Sequence, residues 1–348
     1  MGNLLAYSGV VTKVRGLKSK LLHPDEFEEI AELKSIADVV TYLKTKPGYE
    51  KEFEALDETR LHRGDVEKML LKSLYNDYSG LYAFSGIAQK KFLKLYLKRY
   101  EVRLINYCLR IVFNQYPQPF DLLSKKVFFE KYSKIPMDKV IAATNVSELI
   151  DALKGTDYYE PMNRLRENHV NSLYEFDRTL NLYFYTYIWR EKRKILKGKE
   201  LKGFTNNLGI EIDLLNLEWM YRAKKYYEMA PADIYRILIP IHYKIHNETF
   251  KNLVEAPTLE EFIKIFKETI YGRQLEGKET YTMEQLSEAY MMDVYKKERR
   301  DNPYSIATLN TYLHLKELEI EKLTGALECI RYGMTPQEIL VQIRGAVK

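Results

Sequence analysis

The segment Ser35-Ile36-Ala37-Asp38, with the apolar stretch that follows it to Leu43, decides the fold because the chain repeats it twice. Asn145-Val146-Ser147-Glu148 opens the same pattern 110 positions later, and Thr258-Leu259-Glu260-Glu261 opens it after another 113. Each is a capping box, in which the first side chain accepts from a backbone N–H of the first helical turn. The acid three residues later accepts in return from the backbone N–H of that first residue. Three such boxes at nearly constant spacing predict an internal repeat.

Two further markers keep this spacing. The first is a single acid, separated by 108 and then 109 positions: Glu67, Glu175 and Glu284. The second is an acid that opens an apolar helical segment, separated by 110 and then 108 positions: Glu101, Glu211 and Glu319. Three markers in one order predict three homologous helical repeats, at residues 1–116, 117–230 and 231–348. Pro117 and Pro119 separate the first two repeats, and Pro231 separates the second from the third.

Helical periodicity dominates the chain, so we predict an all-α fold. In each repeat we expect an opening helix, at 7–22, 120–132 and 234–253. The capped helix follows it, with a tyrosine soon after: Tyr49, Tyr159 and Tyr271. A long tyrosine-rich stretch comes next, at 66–100, 172–196 and 283–300. A closing helix that begins at Glu101, Glu211 or Glu319 completes the repeat. The 29 tyrosines are expected mainly in the core, with hydroxyls on polar neighbours.

Composition is that of a globular protein, with 46% hydrophobic and 30% charged residues. The formal net charge of +5 is weak support for an acidic partner. Cys108 and Cys329 lie in apolar helical patterns, which favours buried thiols over a disulfide. No signal peptide fits the N-terminus. The strongest apolar run, at 180–189, is shorter than the roughly twenty residues that a membrane-spanning helix needs.

Catalytic motifs are absent from the sequence. There is no GxxxxGK(S/T) phosphate loop, no HExxH and no paired CxxC. His242 and His246 are four apart on an expected helix, a spacing that a zinc site uses, but a third and a fourth ligand are missing. We therefore expect no metal and no cofactor. A metal-dependent enzyme built on these histidines is the weakest alternative.

Two basic clusters are the strongest pointers to nucleic acid: Arg190-Glu191-Lys192-Arg193-Lys194 and Lys296-Lys297-Glu298-Arg299-Arg300. Both contain an acid and end a long predicted helix, where cations favour the helix dipole and stay solvated. We therefore favour solvated helix ends and expect no nucleic-acid partner.

The acids of the third marker are the most interesting polar positions. Glu101, Glu211 and Glu319 recur without a base or a nucleophile at fixed distance. We favour a stabilising charge at the start of each closing helix. The alternative is a pseudo-threefold set of acids on a shared interaction surface.

The chain resembles the C subunit of the prokaryotic V/A-type rotary ATPases, related to the d subunit of the eukaryotic enzymes, along its full length. The residues that carry the resemblance are Tyr7, Lys13-Val14-Arg15 and Ser19-Lys20-Leu21-Leu22 at the N-terminus, Glu211-Ile212-Asp213-Leu214-Leu215-Asn216 with Arg222-Ala223-Lys224 in the second repeat, and Glu319-Ile320-Glu321-Lys322-Leu323 with Gly333-Met334-Thr335-Pro336-Gln337-Glu338-Ile339 at the end. Arg103 and Thr324 depart from a strict threefold pattern.

The resemblance implies an all-helical funnel with pseudo-threefold symmetry and no catalytic site. It implies a rotor adapter on the cytoplasmic face of the membrane, between the proteolipid (c/K) ring and the central-stalk subunits D and F. The candidate interaction residues are Glu101, Glu211, Glu319, Asp213 and Arg222. The main alternative is a soluble helical scaffold that binds nucleic acid or another protein.

Overall fold

The computed structural model describes residues 2–58, 61, 63–115, 122–273 and 282–343. Within these ranges every regular element is helical, which confirms the predicted all-α class. In chain order the helices are α1 (Gly2–Lys18), α2 (Pro24–Ala31), α3 (Ile36–Lys44), α4 (Glu50–Phe53), α5 (Arg63–Phe84), α6 (Ile87–Asn114), α7 (Leu123–Tyr132), α8 (Met137–Ala142), α9 (Val146–Ala152), α10 (Tyr159–Glu167), α11 (Leu173–Ile195), α12 (Gly198–Tyr226), α13 (Pro231–Ile237), α14 (Asn247–Glu255), α15 (Leu259–Glu268), α16 (Ile270–Arg273), α17 (Met283–Asp301), α18 (Ile306–Arg331) and α19 (Pro336–Ile343).

The three capped helices form as predicted. Ser35 Oγ accepts from the backbone N–H of Asp38 at 3.1 Å and begins α3. In α9 the side chain of Asn145 accepts from the N–H of Glu148 at 2.9 Å, and in α15 that of Thr258 accepts from the N–H of Glu261 at 3.2 Å. Each capped helix then buries its apolar face. The local signal that defines the repeat is therefore a real helix start in all three places.

The closing helices begin earlier than predicted. Glu101, Glu211 and Glu319 lie deep inside α6, α12 and α18, so the expectation of a charge at each helix start is wrong. The breaks come instead at residues that resist helix continuation: Gly86, Gly198 and Pro303. Gly198 has a φ of +52°, which an L-residue rarely adopts. No proline stands near the three acids, and Gly209, two residues before Glu211, is accommodated inside α12, so each helix runs through its acid.

The opening helix predicted at 234–253 is also wrong, because the chain there forms two helices, α13 and α14, with an irregular segment between them. Asn216, which is fully buried, fixes this segment. Its side-chain amide donates to the carbonyls of Ile239 at 3.0 Å and Ile241 at 3.2 Å, and its oxygen accepts from the N–H of Ile239 at 2.9 Å. Pro240 has no N–H for a helical hydrogen bond, so the backbone groups are satisfied by Asn216 instead.

Two compact units make up the chain. Unit 1 comprises Met1–Leu93, Gln118–Tyr132 and Glu298–Val347. Its central helix is α18, which packs against α1, α2, α3, α5 and α19. Buried residues line α18 along most of its length, as expected of a helix surrounded by others.

Unit 2 comprises Lys94–Pro117 and Ser133–Lys297. Here α12 is the central helix and packs against α11, α13 and α15. A continuous apolar core joins α12 to the helices from α13 to α17, with Leu217, Phe262 and Tyr271 fully buried. The division into repeats 1–116, 117–230 and 231–348 stays a prediction. Its first boundary, with Pro117 and Pro119, lies outside the described residues.

Two smaller predictions are confirmed. Many tyrosines are core residues, and five are among the largest fully buried side chains: Tyr49, Tyr78, Tyr158, Tyr271 and Tyr312. Cys108 and Cys329 are buried, and neither forms a disulfide bond within the described residues. In the described part of the chain, no helix is both long and apolar enough to cross a bilayer.

Candidate functional site

Three buried carboxylates, each on a long helix, accept a hydrogen bond from a buried tyrosine. They are Glu101 on α6, Asp213 on α12 and Glu319 on α18, and each is at most 5% exposed. Their tyrosine partners follow the three capped helices along the chain: Tyr158, Tyr271 and Tyr49 respectively. The repeat spacing pointed to Tyr49, Tyr159 and Tyr271. Tyr49 and Tyr271 make these contacts, whereas in the second repeat the neighbouring Tyr158 makes it.

The Glu101 cluster consists of Glu101, Tyr158, Ser133 and Lys98, all within unit 2. Tyr158 Oη donates to Glu101 Oε2 at 2.6 Å, and Ser133 Oγ donates to Oε1. Lys98 Nζ lies 3.1 Å from Oε2, one helical turn away, and 5.0 Å from the centre of the Tyr158 ring. The carboxylate therefore has one cation and two hydroxyl donors, which is what a buried charge requires.

The Glu319 cluster, within unit 1, consists of Glu319, Tyr49, Lys316 and the backbone N–H of Leu22. Tyr49 Oη donates to Glu319 Oε1 at 2.5 Å, and the N–H of Leu22 donates to Oε2 at 2.6 Å. Lys316 is 1% exposed, and its Nζ lies 3.0 Å from Oε1 and 3.9 Å from the centre of the Tyr49 ring. The arrangement matches that of Lys98, Glu101 and Tyr158.

The Asp213 cluster, within unit 2, holds its acid differently. Tyr271 Oη donates to Oδ2 at 2.6 Å, and the backbone N–H groups of Tyr243 and Lys244 donate at 2.8 and 2.7 Å. Ile210 occupies the position three residues before Asp213, where the other clusters have a lysine. Two fixed backbone donors therefore replace the lysine.

The tyrosine contacts align the second repeat with the other two differently from the sequence spacing. The acid that corresponds to Glu101 and Glu319 by its tyrosine contact is Asp213, whereas the sequence spacing selected Glu211. Glu211 accepts instead from Arg99 Nη2 at 2.7 Å and from Tyr185 Oη at 3.1 Å. Two residues along a helix turn a side chain to nearly the opposite face, so the two acids serve different contacts.

Arg222 is the most exposed of the five candidate interaction residues. Its side chain is 53% exposed, and Nη1 lies 3.8 Å from Glu284 Oε1. The other four candidates are bonded inside their unit. A direct contact between these carboxylates and a partner would break those bonds, so an interaction role for them stays a prediction.

Electrostatics keeps the three tyrosines of these clusters neutral. Burial, and then the charge of the adjacent acid, raise the pKa of Tyr49, Tyr158 and Tyr271 well above the ordinary value. Burial also raises the pKa of Asp213, while the bonds from Tyr271 and the two amides oppose this rise. Phenols with a raised pKa keep their protons at neutral pH. The clusters therefore connect helices and offer no activated nucleophile.

The two histidines do not lie on one helix, so the expected helical spacing is wrong. Both lie between α13 and α14, with His246 at the N-cap of α14. His242 Nε2 is 2.5 Å from Asn247 Oδ1, and its ring packs on Phe250. Among the described residues, no group of three or more His, Cys, Asp or Glu side chains could hold a metal ion.

Sequence reasoning missed Lys98 and Lys316, although each lies three residues before its acid. This spacing is a visible signal, since side chains three apart share a helix face. It also missed Glu218 on α12. Burial raises the pKa of Glu218 to about 7, a hydrogen bond with Ser287 opposes the rise, and the nearby charge of Glu284 adds to it.

Comparison with known proteins gives one consistent result. The family model described as ATP synthase (C/AC39) subunit matches residues 10–342. The C subunit of the A-type ATP synthase of Archaeoglobus fulgidus is 24% identical over 344 residues, which cover 97% of this chain and 96% of the relative. The protein of the same name from Pyrococcus abyssi is 26% identical, over 96% of this chain and 89% of the relative. That from Methanocaldococcus jannaschii is 22% identical, over 97% and 86%.

Proposed function

The chain belongs to the ATP synthase (C/AC39) subunit family, and from that premise we propose that it is the rotor adapter of a rotary ATPase. In this proposal it is non-catalytic and couples the central-stalk subunits D and F to the proteolipid (c/K) ring. It lies on the cytoplasmic face of the membrane and reaches the bilayer region by way of the ring. Three similar helical lobes form a pseudo-threefold funnel that receives the stalk.

The observation that carries this proposal is the order in which the clusters connect the predicted repeats. Tyr158 of the second repeat donates to Glu101 of the first, and Tyr271 of the third donates to Asp213 of the second. Tyr49 of the first repeat donates to Glu319 of the third. Each repeat therefore bonds the one before it in a closed cycle, and the last contact joins residues 270 apart in sequence. A closed cycle of three lobes is what a collar between a ring and a shaft requires.

Mechanical coupling gives these buried contacts a function. Torque passes through an adapter only if its lobes stay together under load. Each cluster supplies charge-assisted hydrogen bonds, the stronger kind, in an interior where water does not compete. Several lobes on one ring also make the grip multivalent, so the whole is held more tightly than any single contact. Glu101, Asp213 and Glu319 then serve the interface indirectly, by holding the lobes, whereas the exposed Arg222 is the candidate for direct contact.

The occupied state of the same groups supports the proposed non-catalytic role. The carboxylates of the three clusters are occupied by tyrosine, lysine and backbone donors, and the tyrosines keep their protons. The sequence contains no phosphate-binding loop of the GxxxxGK(S/T) type. In this proposal ATP chemistry therefore belongs to other subunits of the complex.

The test is a binding experiment with purified partners. The full chain is mixed with the detergent-solubilised proteolipid ring and, separately, with subunits D and F, and stoichiometry is read by native mass spectrometry. We expect one copy per ring, with the stalk subunits able to join. Absence of binding to both partners would refute the adapter role.

A shortened chain that ends at Tyr227 tests whether ring binding needs the third repeat. It lacks the third repeat and with it Tyr271 and Glu319, so two of the three clusters are lost. We expect it to lose ring binding. Full affinity of this chain for the ring would contradict the closed-collar model.

A further inference from the structure

The connection between α11 and α12 concentrates positive charge. Residues 190–202, which we call the basic turn, contain seven Lys or Arg and two Glu, a net charge of +5. The whole chain has a formal net charge of +5, from 54 basic and 49 acidic residues. The remainder of the chain therefore carries equal numbers of basic and acidic residues, and the basic turn accounts for the entire excess of positive charge.

Most of these cations are exposed at the end of the helical hairpin. The exposed ones are Arg190, Arg193, Lys194, Lys197, Lys199 and Lys202. Glu191 Oε1 is shared by Arg190 Nε and Lys194 Nζ, both at 2.9 Å. Glu191 therefore neutralises part of the positive charge at the end of α11. The lysines at the start of α12 are not neutralised by it.

The helix dipole explains only half of this pattern. Arg193 and Lys194 lie in the last turn of α11, where cations are favourable. Lys197, Lys199 and Lys202 lie at the opposite kind of terminus, the start of α12, where cations are unfavourable. Lys197 also occupies the N-cap of α12, and its side chain makes no capping bond. The fold compensates part of this charge, because Lys197 Nζ donates to the carbonyl of Arg193 at 3.0 Å and Glu200 lies in the first turn of α12. The exposed Lys199 and Lys202 still add positive charge near this helix start, which an external anion would balance.

A buried lysine adds to the unbalanced charge. Lys192 is fully buried, and its Nζ donates to the carbonyl of Trp189 at 2.7 Å and lies 3.3 Å from the centre of the Trp189 ring. Across the described ranges, no carboxylate lies within ion-pair distance of this ammonium. Burial, together with the charge of Arg193, lowers the pKa of Lys192 to about 8, which leaves it mostly protonated at neutral pH.

We propose that the basic turn binds the anionic phospholipid headgroups of the bilayer that surrounds the proteolipid ring. This inference rests on the proposed function, which puts the chain beside that membrane. A polybasic segment near a membrane is attracted to its negative surface potential, and the attraction falls off within a Debye length of about 8–10 Å. The basic turn therefore holds its unit against the leaflet and adds to the grip on the ring.

The chemistry of the turn favours a lipid surface over other polyanions. Residues 190–202 contain no aromatic side chain, so bases of a single strand would find no stacking surface there. Leu196 is buried, so the turn offers no large apolar anchor to a protein partner. Its cations stand on the ends of two helices and converge on no single pocket. A diffuse cationic surface of this kind matches a diffuse layer of phosphates.

The experiment measures binding to vesicles. Full-length protein is sedimented with vesicles of pure phosphatidylcholine, or of phosphatidylcholine with about a third phosphatidylglycerol, at low and high salt. The variant Arg193→Gln/Lys197→Gln/Lys199→Gln/Lys202→Gln removes four exposed charges from the basic turn. The control Lys139→Gln/Lys154→Gln/Lys251→Gln/Lys264→Gln removes four exposed charges elsewhere in unit 2 and reaches the same net charge.

We expect wild-type protein to bind the anionic vesicles at low salt and to be released at high salt. The basic-turn variant should bind at least tenfold more weakly, and the control within twofold of wild type. An equal loss in both variants would show attraction by net charge alone and would overturn the proposal. The proposal would also be overturned if the protein bound a single-stranded oligonucleotide through the basic turn and did not bind vesicles.

A lipid-free arm separates this inference from the proposed function. With the ring in detergent without phospholipid, the basic-turn variant should bind as well as wild type. A variant that fails there would indicate contact with ring protein instead of lipid, and would overturn the proposal. Failure of the wild-type chain to bind the ring would refute the adapter role itself, independently of the vesicle result.

Discussion

Glu101, Asp213 and Glu319 are carboxylates in a protein interior, where an isolated charge costs several kcal/mol of solvation. Each has lost its water and has three donors in its place. A phenol is a suitable third donor because it brings a large apolar ring with its hydroxyl, so one residue fills the core and bonds the charge. The residue pair of tyrosine and carboxylate thus joins two distant parts of the chain at once.

The first prediction concerns these hydroxyls. Tyr49→Phe, Tyr158→Phe and Tyr271→Phe each remove one donor from a buried carboxylate and leave the ring in place. We expect each to lower the free energy of unfolding by about 1–3 kcal/mol, because a buried acceptor loses a partner. Urea unfolding measures the change. Tyr235→Phe is the control, since its hydroxyl is exposed and 3.5 Å from Glu255. An equal change in the free energy of unfolding for all four variants would show that the cluster hydroxyls have no special role.

Glu218 provides a second prediction, on pH dependence. Burial raises its pKa from 4.5 to about 7, so the folded chain holds this proton after the unfolded chain has released it. Stability from this group is therefore present below about pH 4.5 and is lost as the pH rises towards 7. Glu218→Gln should stabilise the protein by roughly 1–3 kcal/mol at pH 8 and by little at pH 4.

Urea unfolding at both pH values tests this second prediction. Glu248→Gln on α14 is the control, because Glu248 is an exposed acid and is not among the groups that shift the pKa of Glu218. An unchanged difference between Glu218→Gln and wild type across this pH range would contradict the prediction.

At the scale of elements, the helix starts were predictable where the signal is local. The capping boxes of α3, α9 and α15 depend on residues three apart, and all three form. Helix continuity was misjudged at Glu101, Glu211 and Glu319, because an acid before an apolar segment looks like a start whether or not a helix precedes it. The helix-breaking residues Gly86, Gly198 and Pro303 indicated the true helix boundaries.

Pairings between elements were out of reach of the sequence. Tyr158 meets Glu101 across 57 positions, Tyr271 meets Asp213 across 58, and Tyr49 meets Glu319 across 270. Such contacts follow from packing and not from local propensity. The constant spacing of the repeat found the right region, but it could not choose between Glu211 and Asp213, which face opposite sides of α12.

The third prediction concerns packing between α12 and the segment that follows α13. A Cβ at Gly209 would lie 2.4 Å from the ring of Tyr243, whose N–H binds Asp213. Gly209→Ala should therefore destabilise the protein by about 1–3 kcal/mol, because the ring and its backbone must move.

Gly16 in α1 is the matched control for this third prediction, since a Cβ there meets nothing within 4 Å. Gly16→Ala should stabilise by about 0.5–1 kcal/mol through helix propensity alone. Thermal melts compare the two variants. The prediction fails if Gly209→Ala is as stable as Gly16→Ala.

At the scale of the whole molecule, unit 1 is assembled from three separate parts of the chain, with the last part supplying its central helix. Without α18, the helices α1, α3 and α5 lose the packing partner that all three share, and only the contacts among α1, α3, α4, α5 and α7 remain to cover their apolar faces. We therefore expect a chain shortened to residues 1–297 to lose the structure of unit 1. The core of unit 2 should persist, because α12 and its partners lie before the cut.

Hydrogen exchange tests this fourth prediction. Amides of α1 and α5 should lose protection in the shortened chain, while those of Tyr243 and Lys244, which bind Asp213, should keep it. Continued protection of α5 would show that the N-terminal segments fold without α18.

The three clusters hold their acids with different donors, and from these we expect different stiffness. Glu101 and Glu319 each contact a lysine on a long flexible side chain, and Glu319 accepts in addition from the N–H of Leu22, whereas the shorter Asp213 accepts from two backbone amides. Under a steady pull the flexible pair can stretch and reorient before yielding, while the rigid one resists until it breaks. In the proposed rotor adapter, connections of unequal stiffness would let the molecule deform more easily in one direction than in others. The differences among the three clusters would thus give the proposed adapter an axis of compliance.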